Sequence, residues 1–146
     1  MRYTIYTDGA YTPEKNCAGL SYLIITDDTY IASDAVQVAT LTSATNAECT
    51  SIGLALAYML SNIRLTEEDV VEVHSDCLSA ITFFQNHLTN GEKYVRSNVK
   101  EVINSVITAR KVSDKCTLRL IKVRGHKSVH TPNTVVDRLA KLAVRR

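Results

Sequence analysis

The spacing of apolar residues along the chain changes period several times. Residues 2–7 (RYTIYT) and 20–26 (LSYLIIT) are rich in β-branched and aromatic types and read as strands. The pair Asp8-Gly9 reads as the turn that closes the first strand. Asp27-Asp28 reads as the turn after the second, with a third strand from about Tyr30 to Ala39. From Asn46 to Leu60 the period becomes helical, with Ile52, Ala55, Leu56, Met59 and Leu60 recurring on one face. VVEVHS (70–75) is a short, mostly apolar run suited to the middle of a sheet. Helices are expected from about Leu78 to Leu88 and from about Val95 to Arg110, separated near Asn90-Gly91. The second of these carries Val99, Val102, Ile103, Val106 and Ile107 along one side. CTLRLIKV (116–123) alternates as a strand, and a last helix starts near Thr131-Pro132, with Thr as N-cap and Pro at the first helical position.

The order is therefore βββαβααβα. An antiparallel meander followed by βα units predicts an α/β protein, a mixed sheet with helices on its faces. With 146 residues, 2 Pro, 5 Gly and no linker-like or repeated stretch, residues 1–146 read as one domain. A content of 45% hydrophobic and 22% charged residues argues against disorder. No apolar run approaches the roughly 20 residues that span a bilayer, so no membrane association is expected. The four cysteines (Cys17, Cys49, Cys77, Cys116) lie far apart without a CxxC pair, which excludes a knottin or zinc ribbon and points to reduced thiols in the cytoplasm.

The net charge of +2 hides an asymmetry: residues 1–109 carry −7 and residues 110–146 carry +9. Such a division suits a carboxylate site beside a surface that meets a polyanion. Four acids occupy telling places. Asp8 ends the first strand, Glu48 opens the first helix, Asp76 follows VVEVHS, and Asp137 lies one turn into the last helix. If strands one and four are parallel neighbours, Asp8 and Asp76 emerge together at their C-terminal ends, where α/β sheets place ligands. Taken singly, each acid also fits a turn, a cap or a solvated helix face. Together they would repel one another, and hard divalent cations with oxygen ligands, Mg²⁺ foremost, resolve that repulsion. Two such ions about 4 Å apart can activate water and neutralise a leaving oxygen at phosphorus.

YTDGAY (6–11), AEC (47–49), HSDCLSAI (74–81) and VRGHKSVHTPNTVVDRLAK (123–141) occur in an order that resembles type 1 ribonuclease H, and the resemblance runs from end to end of the chain. It implies a five-stranded sheet of order 3-2-1-4-5. It further implies a metal-dependent endoribonuclease that cuts the RNA strand of RNA–DNA hybrids, leaving 5′-phosphate and 3′-hydroxyl ends. On this resemblance Asp8 bridges two Mg²⁺ ions, with Mn²⁺ as a substitute. Glu48 and Asp76 hold the second ion, Asp137 holds the first, and His126 assists proton movement or product release. Glu48 would also lie near the RNA 2′-hydroxyl. The expected protein is monomeric, with a polymerase or other replication protein as neighbour where it works tethered.

The chain departs from the family pattern in three places. One Gly stands in AYTPEKNCAG (10–19) where a Gly-rich stretch is usual. The approach to Glu48 reads SATNAE, with Ser43 and Ala44 at the usual Thr-Asn positions. The segment after Phe83–His87 is short, and the chain has no Trp, which reads as a shortened basic handle. Ser43, Thr45 and Asn46 are candidate nucleic-acid contacts, as are Lys122, Arg124 and Lys127, which flank the loop carrying His126. The HxxxH spacing of His126 and His130 lies between Gly125 and Pro132, which disfavours a zinc helix. Cys49 and Cys77 each follow a candidate ligand and read as core residues rather than a redox pair. The competing functions are an enzyme of the same scaffold acting on double-stranded RNA or structured DNA, and a non-catalytic hybrid-binding module.

Overall fold

The computed structural model describes residues 1–14, 17–27, 29–39, 43–89, 97, 99–124 and 132–145; on the last helix the side chains at 132–134, 137, 141, 144 and 145 are excepted. Its elements run β1 (Arg2–Thr12), β2 (Cys17–Thr26), β3 (Thr29–Val38), α1 (Ala44–Asn62), β4 (Val70–Ser75), α2 (Leu78–Thr89), α3 (Lys100–Lys115), β5 (Thr117–Lys122) and α4 (Pro132–Arg145). The five strands form one sheet of order β3-β2-β1-β4-β5. β1, β2 and β3 pair antiparallel, and β1–β4 and β4–β5 pair parallel. Both the element order and the strand order match the expectation from sequence. Among the described residues no helix is long and apolar enough to cross a membrane.

The expected turn at Asp8-Gly9 is not there. β1 continues to Thr12, and its register with β2 runs unbroken through Asp8↔Ser21 and Gly9↔Leu20 to Thr12↔Cys17. Gly9 serves a different purpose: a Cβ at this position would lie 2.5 Å from the Ala47 carbonyl carbon and 2.6 Å from the Glu48 nitrogen. A glycine inside a strand often marks such a close backbone approach, here that of α1. Of the other expected turn, Asp28 lies outside the described residues. Thr26 pairs with Thr29 across a two-residue connection, and Asp27 adopts φ 47°, a left-handed conformation that Asp tolerates better than most residues.

Alternation along β1 separates two layers. Tyr3 and Ile5 face a core built with Ile52, Leu56 and Met59 of α1, Phe84 of α2, and Val102 and Val106 of α3. Burying each of the larger aliphatic side chains contributes about 1.5–3 kcal/mol. On the opposite face α4 lies across β1, β2 and β3 through the buried Val136, Ala140 and Ala143. α3 starts later than expected, at Lys100, and its buried stripe runs through Val102, Val106, Ala109 and Val112, which leaves Ile107 exposed. Residues 90–96 and 98, including the expected helix start at Val95, lie outside the described residues.

Candidate metal centre

Ser43 caps α1. Its carbonyl accepts the Ala47 N–H and its hydroxyl oxygen accepts the Asn46 N–H at 3.1 Å, so the helix begins two residues before the expected start. This cap holds Glu48 one turn into the helix, against the sheet. β1 and β4 pair in parallel up to Tyr6↔His74, so Asp8 and Asp76 each stand two residues beyond the last paired position. The consequence is convergence: Asp8, Glu48 and Asp76 each offer a carboxylate oxygen, all within 4.8 Å of one another.

Glu48 is only 2% exposed. Thr7 donates to its Oε1 at 3.0 Å and Ser75 to the same oxygen at 2.8 Å, while the Gly9 N–H donates to Oε2 at 2.8 Å. The Gly9 N–H also reaches Asp8 Oδ1 at 3.0 Å. Ser51 donates to the Asp8 carbonyl at 2.7 Å and ties α1 to the strand. Thr7, Ser21, Ser51 and Ser75 are the positions that sequence reasoning missed. Each is a buried hydroxyl in an otherwise apolar layer, and adjacency to a candidate acid singles out only Thr7 and Ser75.

Burial pushes the Glu48 carboxyl above its ordinary range, and the negative charge of Asp76 adds to that, against hydrogen bonds from Ser75, Asp8 and Thr7. Glu72, a second buried glutamate on β4, behaves in the opposite way. A hydrogen bond from Arg2 at 2.7 Å, together with that residue's charge, holds its carboxyl below the ordinary range. Glu72 is thus satisfied by a cation from the protein, whereas the three donors that reach Glu48 at 2.8–3.0 Å are neutral. A set of close oxygen ligands, one of them buried against its charge, fits a hard divalent cation.

A stability prediction follows from the raised Glu48 value. The unfolded carboxyl titrates near its ordinary 4.5 and the folded one higher, so the folded chain binds the extra proton between the two. The cost of ionising Glu48 is absent below about 4.5 and complete above the folded value. In EDTA, the melting temperature of the wild type relative to Glu48→Gln should therefore fall as the pH rises upward from about 4.5. Calorimetry of both proteins across that range checks it, and Mg²⁺ should reverse the loss.

The structure gathers the remaining candidates unequally. Asp137 lies on α4, and the carbonyl of the preceding residue, Val136, accepts a hydrogen bond from Ser21. Ser21 is the cross-strand partner of Asp8, and its hydroxyl is 3.5 Å from the Asp8 carbonyl oxygen, so the α4 backbone beside Asp137 is anchored next to Asp8. His126 and Lys127 lie outside the described residues, as do Gly125, His130 and Thr131. Lys122 pairs in register with Ser75, and exposed Arg124 follows two residues later, which puts both at the carboxylate end of the sheet. Thr45 and Asn46 line a cleft of roughly 290 Å³ with Cys49, Ser79, Phe83 and Ser97. Cys49 belongs to the core, and burial pushes its thiol up to about 12, which leaves little thiolate for chemistry. Tyr6 packs edge-on against His74 at 5.0 Å.

A mixed sheet that gathers carboxylates at the shared end of two parallel central strands defines the class: an α/β protein with three acids placed where they could hold a metal ion. The fold is similar to that of RNase H1 from the halophilic archaeon Halobacterium salinarum NRC-1, at 18% identity and TM-score 0.70, covering 99% of this chain and 98% of that one. It is equally similar to the N-terminal RNase H domain of Rv2228c from Mycobacterium tuberculosis, solved as a fusion with maltose-binding protein, at 16% identity and TM-score 0.71, covering 99% and 94%. No curated protein sequence matches the chain. The RNase H family profile matches residues 1–145, and the chain belongs to the RNase H family.

Proposed function

We propose that the protein is a metal-dependent endoribonuclease that hydrolyses the RNA strand of RNA–DNA hybrids to 5′-phosphate and 3′-hydroxyl products. The observation that carries this reading is the convergence of Asp8, Glu48 and Asp76 within 4.8 Å, in a chain of the RNase H family. Asp8, Glu48, Asp76 and Asp137 are the residues that would hold two Mg²⁺ ions, with Mn²⁺ as a substitute. When bound, such ions lower the pKa of a coordinated water and neutralise charge developing on the phosphate. The protein supplies the rest. The Ser43 cap and the Gly9 contact hold Glu48 against β1, and the parallel register aligns Asp8 with Asp76. Lys122 and Arg124 at the same sheet end suit phosphate contacts, as Thr45 and Asn46 do at the neighbouring cleft. His126, in the segment between β5 and α4, would move a proton or release product. A monomer in the cytoplasm, alone or beside a polymerase, belongs to the same proposal.

The test is cleavage of matched RNA–DNA, RNA–RNA and DNA–DNA duplexes in Mg²⁺, with end-group analysis. Only the hybrid should be cut, only in its RNA strand, and EDTA should stop the reaction. Equal cleavage of RNA–RNA would favour the same scaffold acting on another duplex. Binding without cleavage would favour a hybrid-binding module.

A further inference from the structure

The residues before Asp8 and Asp76 send their hydroxyls to the third acid, Glu48. Thr7, next to Asp8, and Ser75, next to Asp76, both donate to Glu48 Oε1, at 3.0 and 2.8 Å, although they come from different strands. Both are fully buried. Side chains alternate across a strand, so a residue adjacent to a ligand turns to the opposite face, and here that is the face on which α1 packs. Ser75 carries a second link. Its oxygen accepts the Cys77 N–H at 3.1 Å, closing the turn that contains Asp76. One hydroxyl thus fixes the Asp76 turn and the Glu48 carboxylate together.

An ionised carboxylate has about four acceptor positions, two on each oxygen. Thr7 and Ser75 fill those on Oε1, and the Gly9 N–H takes one on Oε2. Oε2, which shares the Gly9 N–H with Asp8 Oδ1, is the oxygen left to face a cation. We infer that Thr7 and Ser75 are positioning residues: by occupying Oε1 they lock Glu48 in one orientation and present only Oε2, as a one-atom ligand, to metal. This rests on the functional reading above only in that Glu48 is a metal ligand. Neither hydroxyl needs to touch substrate.

The experiment is a Mn²⁺ titration of the whole protein followed by electron paramagnetic resonance, without substrate, on wild type, Thr7→Val, Thr7→Ser, Ser75→Ala and the Thr7→Val/Ser75→Ala double variant. Residues that orient metal ligands typically contribute 10–100-fold to affinity. Each hydroxyl deletion should weaken the tightest Mn²⁺ site about 10-fold and the double about 100-fold, whereas Thr7→Ser, which keeps the hydroxyl, should stay within about 2-fold of wild type. In hybrid cleavage the Mg²⁺ concentration for half-maximal rate should rise in parallel, with most of the rate recovered at saturating metal. If the double variant fails to fold, the singles and the Thr7→Ser rescue decide.

Folded single variants that bind Mn²⁺ like wild type would overturn the inference. So would a Thr7→Ser protein as weak as Thr7→Val, because packing rather than the hydroxyl would then matter, and so would a wild type that binds no Mn²⁺. A wild type that binds Mn²⁺ with the expected dependence on Thr7 and Ser75, yet cuts no hybrid, would remove the proposed activity and leave the positioning role standing.

Discussion

Asp8→Asn should give a folded protein that has lost hybrid cleavage by about a thousandfold or more and that, free of metal, melts higher than wild type. The substitution is nearly isosteric, and the Asn oxygen can still accept the Gly9 N–H that reaches Asp8 Oδ1 at 3.0 Å. Ser51 and Ser21 bind the Asp8 carbonyl rather than its side chain, so those ties to α1 and α4 survive. What disappears is one negative charge from a group whose oxygens lie within 4.8 Å of one another. Like charges that close disfavour one another, and removing one relieves part of that cost when no cation is bound. Relief on the order of 1 kcal/mol corresponds to about 2–4 °C in a chain of this size. Activity moves the other way: a thousandfold loss is about 4 kcal/mol of barrier, a reasonable share for one of the carboxylates that would hold metal under the proposed function. Calorimetry in EDTA and single-turnover cleavage in Mg²⁺ read the two effects separately. If stability falls while activity survives, Asp8 is a structural residue and the site lies elsewhere.

The fold was largely legible because its signals are periodic. The helical spacing of Ile52, Leu56 and Met59 and the short apolar run of β4 each have one economical reading, and α/β topology rules restrict how they assemble. Asp8, Glu48 and Asp76 were legible as a set because each was expected near one edge of the sheet, although Asp8 lies within β1 rather than at its end, and the family resemblance implied their roles. Two kinds of information were not. Asp8-Gly9 carries the local signature of a turn, yet the pair lies inside a continuous strand, because the choice of glycine answers to a helix 38 residues further along the chain. No local window contains that constraint. The hydroxyls of Thr7, Ser21, Ser51 and Ser75 were silent for a related reason. Ser and Thr are ordinary in strands and helices, and only the fold reveals that Thr7 and Ser75 share one carboxylate oxygen while Ser21 links β2 to α4 beside Asp137.

Gly9→Ala tests that long-range constraint, and it should be among the most damaging single-methyl changes available to the chain. The added carbon would stand 2.5 Å from the Ala47 carbonyl carbon, 2.6 Å from the Glu48 nitrogen and 2.8 Å from the Ala47 oxygen. All three are backbone atoms inside α1, so no side chain can rotate away, and the helix must retreat from β1 as a body. Overpacking a well-filled interior typically costs about 1–3 kcal/mol, and displacing a helix belongs at or beyond the upper end. A loss of about 3 kcal/mol would lower the melting temperature by roughly 10 °C. The retreat also separates Glu48 from its strand partners, since the Gly9 N–H to Oε2 bond and the Thr7 to Oε1 bond both span the widened gap. Mn²⁺ affinity and hybrid cleavage should therefore fall at temperatures where the protein is still folded. If Gly9→Ala loses stability without loss of metal binding, the close approach serves packing alone; if it loses neither, α1 does not press on β1 at this point.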